Sequence, residues 1–355
     1  MTRACHLLGS GLASALGPDL PTALANLVTG GTAPEYRQMA PGADFPYFAI
    51  PDATPDWHAR ARHLVQAALA ECGPGIDRDA PLYIASSSLN VGALEDGSPF
   101  LADCLSFAEH IAGWLDWRGP TYWVSTACTS ALNAVLSARR QILAGRTDEA
   151  VVLGIELANR FSSAGFGALQ LLDPIAPHPL AADRAGLVLG EAVAALHLGS
   201  APARWRIAGG ANLIDGSNPS GAAADTVADA VRAALADASL AAAQLDLVKL
   251  QAAGSPHNDA AEIDGLKAAL GPLPALVTLK ALLGHTLGAS GAAEIAVLCA
   301  CLEKGCWPPP PASQPDPDLG VQLALHRPAQ VRHVLANVLG FGGGHTCVVL
   351  EDRYA

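Results

Sequence analysis

Lysine is nearly missing from this 355-residue chain: of 21 basic residues only four are lysine, at 249, 267, 280 and 304. With 33 acidic residues the formal charge is −12, which excludes a broadly basic surface for nucleic acid or for an anionic membrane. Charged side chains make up 15% and aromatics 5% of the chain. Its core must therefore be built from Ala, Leu, Val and Gly, which suits helices packed closely on a sheet. Hydrophobic residues at 51% exclude disorder. No uninterrupted apolar run reaches the roughly 18–20 residues of a membrane span. The first residues, Met1 to His6, lack the charged-then-apolar pattern of a signal peptide. Eight cysteines, at 5, 72, 104, 128, 299, 301, 306 and 347, form no CxxC pair and no Cys/His ligand spacing. No zinc site is expected from them, and a chain of this length does not depend on disulfides. These absences predict reduced thiols in the cytoplasm.

What is present is an alternation of short apolar runs with longer Ala/Leu-rich periodic stretches. Strands are predicted at Leu82–Ser86, Thr121–Ser125, Ala150–Gly154, Gly186–Leu198, Leu247–Leu250, Ala275–Thr278, Val331–Val338 and Thr346–Leu350. Helices are predicted at Trp57–Glu71, Thr129–Ala144, Ala223–Ala236, Ala260–Ala269 and Gly291–Lys304. Such alternation reads as α/β layers around a largely buried sheet. Pro- and Gly-rich punctuation predicts loops at Pro41–Pro55 and Pro308–Pro317. The segment Gly199–Ala203 divides the chain into 1–200 and 201–355. Cys128–Leu136 echoes Ser290–Leu298 across that divide, each a small-residue helix start running into an apolar helix. Ala-rich segments match easily, so chance and duplication both remain open from this echo.

Val124-Ser125-Thr126-Ala127-Cys128-Thr129-Ser130-Ala131 puts a cysteine where an apolar strand turns into a helix. Unpaired N–H groups and the helix dipole there favour thiolate, which predicts a lowered thiol pKa. The same N–H groups could bind the oxyanion of a thioester intermediate. Three further segments follow. They are Ala182-Asp183-Arg184-Ala185-Gly186-Leu187-Val188-Leu189-Gly190-Glu191, Lys280-Ala281-Leu282-Leu283-Gly284-His285-Thr286-Leu287-Gly288-Ala289-Ser290-Gly291 and Asn337-Val338-Leu339-Gly340-Phe341-Gly342-Gly343-Gly344-His345.

Together, in this order, these segments resemble the signatures of the β-ketoacyl-acyl-carrier-protein synthases, the condensing enzymes of the thiolase fold. The resemblance implies duplicated αβαβα layers, two similar halves with buried central helices. The N-terminal half, 1–200, would carry the nucleophile. The C-terminal half, 201–355, would carry the other catalytic groups and the glycine-rich loop. It implies that Cys128 takes an acyl group from a carrier thioester and that a carbanion from malonyl decarboxylation then attacks it. His285 would donate to the malonyl thioester carbonyl, and Lys280 and Glu294 would lie buried together near the cysteine. The N–H groups of Cys128 and Phe341 would form the oxyanion hole. Phe341, between Gly340 and Gly342, would gate the acyl pocket.

The pattern breaks in three places. Counting back from Asn258-Asp259 puts Gln251 where the family has its other histidine. A glutamine amide can still donate to a carbonyl but cannot titrate near neutral pH. Nearby His257 falls six positions late and reads as a loop residue. Gly344-His345 replaces the family's Thr-Asn, and His345 likewise reads as a loop residue. The chain is also short for the family, trimmed between about 30 and 115, where cap and dimer-contact elements belong. The resemblance implies acyl-carrier protein as partner, with phosphopantetheine arriving on it, and no metal or organic cofactor. It also implies a homodimer, or a heterodimer with another ketosynthase-like subunit. Two further expectations are a chain-length-factor-like partner subunit with little condensing activity and an acyltransferase serving another nucleophile. Arg139, Arg140 and Arg146, near the end of the helix that starts at Cys128, are candidates for docking an acidic carrier.

Overall fold

The computed structural model describes residues 3–40, 43–99, 101 and 103–355. The strands of the first half are β1 (His6–Ser14), β2 (Glu35–Ala40), β3 (Ala43–Phe48), β4 (Leu82–Ala85), β5 (Thr121–Val124), β6 (Glu149–Glu156), β7 (Leu189–Gly190) and β8 (Ala192–Gly199). The second half supplies β9 (Trp205–Ile214), β10 (Leu247–Lys249), β11 (Ala275–Val277), β12 (His333–Gly340) and β13 (Gly344–Asp352). Ten of these strands form one sheet in the order β11-β10-β12-β13-β9-β1-β8-β6-β4-β5.

The two sides of this sheet repeat one another. In the first half β1, β8 and β6 are antiparallel neighbours, and β4 and β5 continue in parallel with β6. In the second half β9, β13 and β12 are antiparallel, and β10 and β11 continue in parallel with β12. Within the sheet of described strands the two sides meet at β1 and β9, which pair over two residues, His6 with Arg206 and Leu7 with Trp205. Duplication is therefore the right reading of the internal echo.

The helices are α1 (Leu20–Leu27), α2 (Trp57–Glu71), α3 (Val91–Glu95), α4 (Cys104–Trp114), α5 (Ser130–Leu143), α6 (Arg160–Ala168), α7 (Ala224–Ala238), α8 (Pro256–Leu270), α9 (Lys280–Leu283) and α10 (Ser290–Lys304). The echoed segments become α5 and α10, which share one buried cluster with the inner faces of both half-sheets. Their small residues let them meet closely, with Gly291 against Leu132. On the outside α2 and α4 cover the first half-sheet, and α7 and α8 cover the second. The result is the duplicated αβαβα layering of the thiolase-like fold. No helix among the described residues is long and apolar enough to cross a membrane.

Two predicted elements need correction. Gly186–Leu198 is not one strand. Leu187 bonds to Leu171 and Asp173, and the chain breaks at Glu191 before β8 begins. The Glu191 carboxylate turns inward to Arg60 at 2.6 Å and to the Ile50 and Ala158 amides, so local side-chain bonding ends the strand. Within Pro41–Pro55, predicted as loop, residues 43–48 form β3 despite Pro46. Burial of Tyr47 and Phe48 outweighs the breaker signal there; residues 41 and 42 lie outside the described residues.

Candidate active site

Cys128 sits in the turn between β5 and α5. Ala127 just before it has φ 50°, a left-handed conformation that a residue with a Cβ adopts at a cost of about 1–3 kcal/mol. Ser130 holds this turn by accepting the Thr126 N–H at 2.9 Å and donating to the Ala127 carbonyl at 2.6 Å. Cys128 is buried there, 4% exposed.

His285 meets it from the other half, its Nε2 3.1 Å from Cys128 Sγ. Its backbone is clamped by the segment before β8: the His285 N–H donates to Val188 O at 2.7 Å, and Gly190 N–H donates to His285 O. Gly284 makes the approach possible, having φ 69° and no room for a Cβ beside Phe48 and Leu189. Two sequence motifs predicted separately thus form one clamp.

Behind the imidazole, Ser290 Oγ lies 3.1 Å from His285 Nδ1, 3.0 Å from Lys280 Nζ and 3.2 Å from Thr286 Oγ1. Lys280 pairs with Glu294 at 2.5 Å, and the other Glu294 oxygen takes Lys249. All three are 1% exposed. Lys249 also donates to Asn337 O at 2.8 Å. Burial pulls the Lys280 ammonium down from its usual range, against the pull of Glu294. Burial, then the charges of Lys280 and Lys249, hold His285 well below the ordinary imidazole range, so its ring is neutral at pH 7.

Gln251 does stand in this site. It is 6% exposed, its Nε2 lies 3.4 Å from His285 Nε2, and its Oε1 has no partner. The Gln251 and Ala252 N–H groups donate to Glu262, at 2.6 and 2.8 Å, while Ala253 and Gly254 donate to Asp259. Both carboxyls are buried on α8 and pushed up by burial, Glu262 to about 7 and Asp259 to about 6. Asn337 Nδ2 donates to Glu262 at 2.6 Å, tying β12 to the same loop. Cys128, Gln251, His285, Gly340 and Phe341 line a cavity of about 30 Å³, room for about one or two waters. The Phe341 ring is stacked on Phe166 of α6, with centroids 5.1 Å apart. Gly342 lies in the same turn, exposed, its N–H donating to Pro219 O.

Several expectations are overturned. The Cys128 thiol is not lowered: burial pushes it up to about 11, against Lys280 and the N–H groups of Phe341 and Cys128. Desolvation of the thiolate outweighs the helix terminus because the cysteine is buried. His257 is an exposed residue of α8, not of a loop. His345 is buried in β13, also not in a loop, and neither of its ring nitrogens has a partner. Arg139 is buried and spent on Ile207 O, Ala208 O and Asp237. Arg140, on α5, and Arg146, just past its end, are exposed. The sequence reading did not assign Lys249, Ser290 or Glu262 a role; the rarity of lysine was the one signal that could have flagged Lys249.

Two family models match. Beta-ketoacyl synthase, N-terminal domain, covers residues 87–203, and beta-ketoacyl synthase, C-terminal domain, covers 205–313. Among curated relatives, nodulation protein E of Rhizobium sp. (strain N33) is 32% identical over 251 residues, 66% of this chain and 62% of its own length. The chain thus spans less than two thirds of that relative. A 3-oxoacyl-[acyl-carrier-protein] synthase 2 of Vibrio cholerae is 29% identical, covering 80% of this chain and 70% of its own. A solved ketosynthase in complex with its chain length factor from Xenorhabdus doucetiae superposes with a TM-score of 0.89 at 25% identity. That match covers 99% of this chain and 98% of the other, so a solved relative shares its short length. Motifs, layered duplication and matching models agree: the chain belongs to the beta-ketoacyl synthase family.

Proposed function

We propose that this ketosynthase-like chain moves acyl groups from acyl-carrier-protein thioesters onto Cys128 and joins them to malonyl units, in fatty-acid, polyketide or polyene biosynthesis. The carrying observation is Cys128 Sγ at 3.1 Å from His285 Nε2, in a pocket backed by the buried Lys280–Glu294 pair. In the acyl transfer, His285 Nε2 takes the thiol proton as sulfur attacks and returns it to the departing pantetheine thiol. The N–H groups of Cys128 and Phe341 face the sulfur and hold the oxyanion. In the malonyl step, Gln251 Nε2–H and a Nε2-protonated His285 donate to the thioester oxygen while CO₂ leaves. Gln251 weakens this step, since loss of such a partner costs about 10²–10⁴ in rate. The phosphopantetheine arm arrives on the carrier, and the chemistry needs no resident metal or cofactor. The protein works in the cytoplasm, to which eight free cysteines are suited. It works as a dimer, with itself or with a second ketosynthase-like subunit.

Gln251 favours a second reading, a chain-length-factor-like subunit that shapes the pocket of a complete synthase; retained Cys128, Lys280 and His285 favour the enzyme. Intact mass after incubation with acyl-carrier protein tests the choice. Acylation at Cys128, then CO₂ and an elongated product on adding malonyl-carrier protein, is the expected result. No acylation, with Cys128→Ala harmless to pathway output, would overturn the enzyme reading. Acylation without elongation, restored by Gln251→His, would locate the damage in decarboxylation.

A further inference from the structure

The Gln251 side chain leaves a polar atom without work. Its Oε1 is an acceptor with no partner, in a residue 6% exposed, and it lines the cavity that holds Cys128 and His285. A buried acceptor left unmet costs about 1–3 kcal/mol, so something is expected to donate to it. The space is about 30 Å³, which admits a water. Water is also the donor with hydrogens to spare.

We propose that the protein hydrolyses the acyl group from Cys128, acting as a thioesterase, with the water held by Gln251 Oε1 and His285 Nε2. This rests on the acyl-Cys128 step of the proposed function. The water donates one hydrogen to Gln251 Oε1 and the other to His285 Nε2, leaving a lone pair for the acyl carbon. Its oxygen bonds to that carbon as the proton passes to Nε2. The carbon–sulfur bond then breaks, and the proton moves from Nε2 to Cys128 Sγ. The products are a free fatty acid, which ionises, and the regenerated thiol; no electron is transferred.

Ser290 makes the base available. For Nε2 to accept, the imidazole proton must sit on Nδ1, which then donates to Ser290 Oγ at 3.1 Å. Ser290 Oγ takes Lys280 on another side and gives its own proton to Thr286 Oγ1. Reversing the hydroxyl would place the proton on Nε2, the form the malonyl step needs. The same serine therefore holds His285 either in the donor form that the malonyl step needs or in the acceptor form that acyl transfer and hydrolysis both need.

The test uses the whole protein in H₂¹⁸O with a medium-chain acyl-carrier protein and no malonyl thioester. Acyl-Cys128 is followed by intact mass and free acid by its ¹⁸O content. One ¹⁸O per acid released, over many turnovers, is the expected result. Gln251→Leu, similar in size but without an acceptor, is expected to lower the ratio of hydrolysis to acylation at least tenfold. Ser290→Ala is expected to lower acylation and hydrolysis together, with Ser290→Thr restoring both. Acyl-Cys128 that persists as long as in the denatured protein would overturn the hydrolysis alone. So would hydrolysis by Gln251→Leu at an unchanged ratio, since the thioester would then be meeting bulk water. Failure of Cys128 to acylate at all would overturn both this activity and the reading on which it rests.

Discussion

At the scale of the residue, the site works by burial more than by charge. Cys128 is a thiol raised to about 11, not a standing thiolate. Below that value the thiolate fraction rises tenfold with each pH unit. Alkylation of Cys128 by iodoacetamide, read by mass spectrometry, should therefore climb about tenfold per unit from pH 7 to 10. A plateau by pH 8 would contradict the buried-thiol account. The lysine count carried more information than the cysteine count. Of four lysines two, Lys249 and Lys280, are buried on one carboxylate. Glu294→Ala would strand both ammonium groups, and an unpaired buried charge costs about 3–5 kcal/mol. Urea unfolding should show a loss of that size. Cys128, Gln251, His285, Lys280 and Glu294 were legible because their motifs are contiguous. Ser290 was not, because its meaning comes from two neighbours, five and ten residues back, that only the fold turns toward it.

At the scale of the element, the turn between β12 and β13 governs access. Phe341 lies on Phe166, and stacked aromatic pairs add about 0.5–1.5 kcal/mol beyond their buried area. Phe166→Ala should loosen the turn and speed Cys128 alkylation about two- to tenfold at fixed pH. Gly343 has φ 73°, and a Cβ there would sit 1.6 Å from Asp215 O. Gly343→Ala should cost more than the about 1–3 kcal/mol of a left-handed residue alone, visible as a lowered thermal midpoint. Element prediction held where the hydrophobic period was clean. α2, predicted at Trp57–Glu71, has those bounds. It missed β9, because two glycines in mid-strand read as a turn, and β1, where Gly9 and Gly11 interrupt the apolar run. Glu191 shows the other failure: a run that is apolar on both sides of one buried carboxylate looks continuous until that carboxylate finds its arginine.

At the scale of the whole molecule, the sheet ends at β5 with one edge unpaired among the described strands and Tyr122 45% exposed. An open edge, even one of four residues, can take another strand. If the dimer joins sheets side by side, as the family resemblance implies, Tyr122→Lys should raise the monomer fraction in light scattering. An unchanged mass would place the interface elsewhere. Fold class was readable because alternating strand and helix patterns leave few layer arrangements. Which strands adjoin was not readable, since β8 pairs with β1 and β13 with β9 across long stretches of chain.

The two-residue seam between β1 and β9 makes the active centre a gauge of alignment. Cys128 belongs to one half and His285 to the other, and 3.1 Å separates their reacting atoms. A slide of one half along α5 and α10 by a single ångström would part them while leaving each half's own strands paired. The chemistry would then fail before the fold did. In a temperature ramp the fall in Cys128 acylation should precede the loss of helical circular dichroism, with the thiol reporting the fit of the halves as a vernier reports a displaced scale.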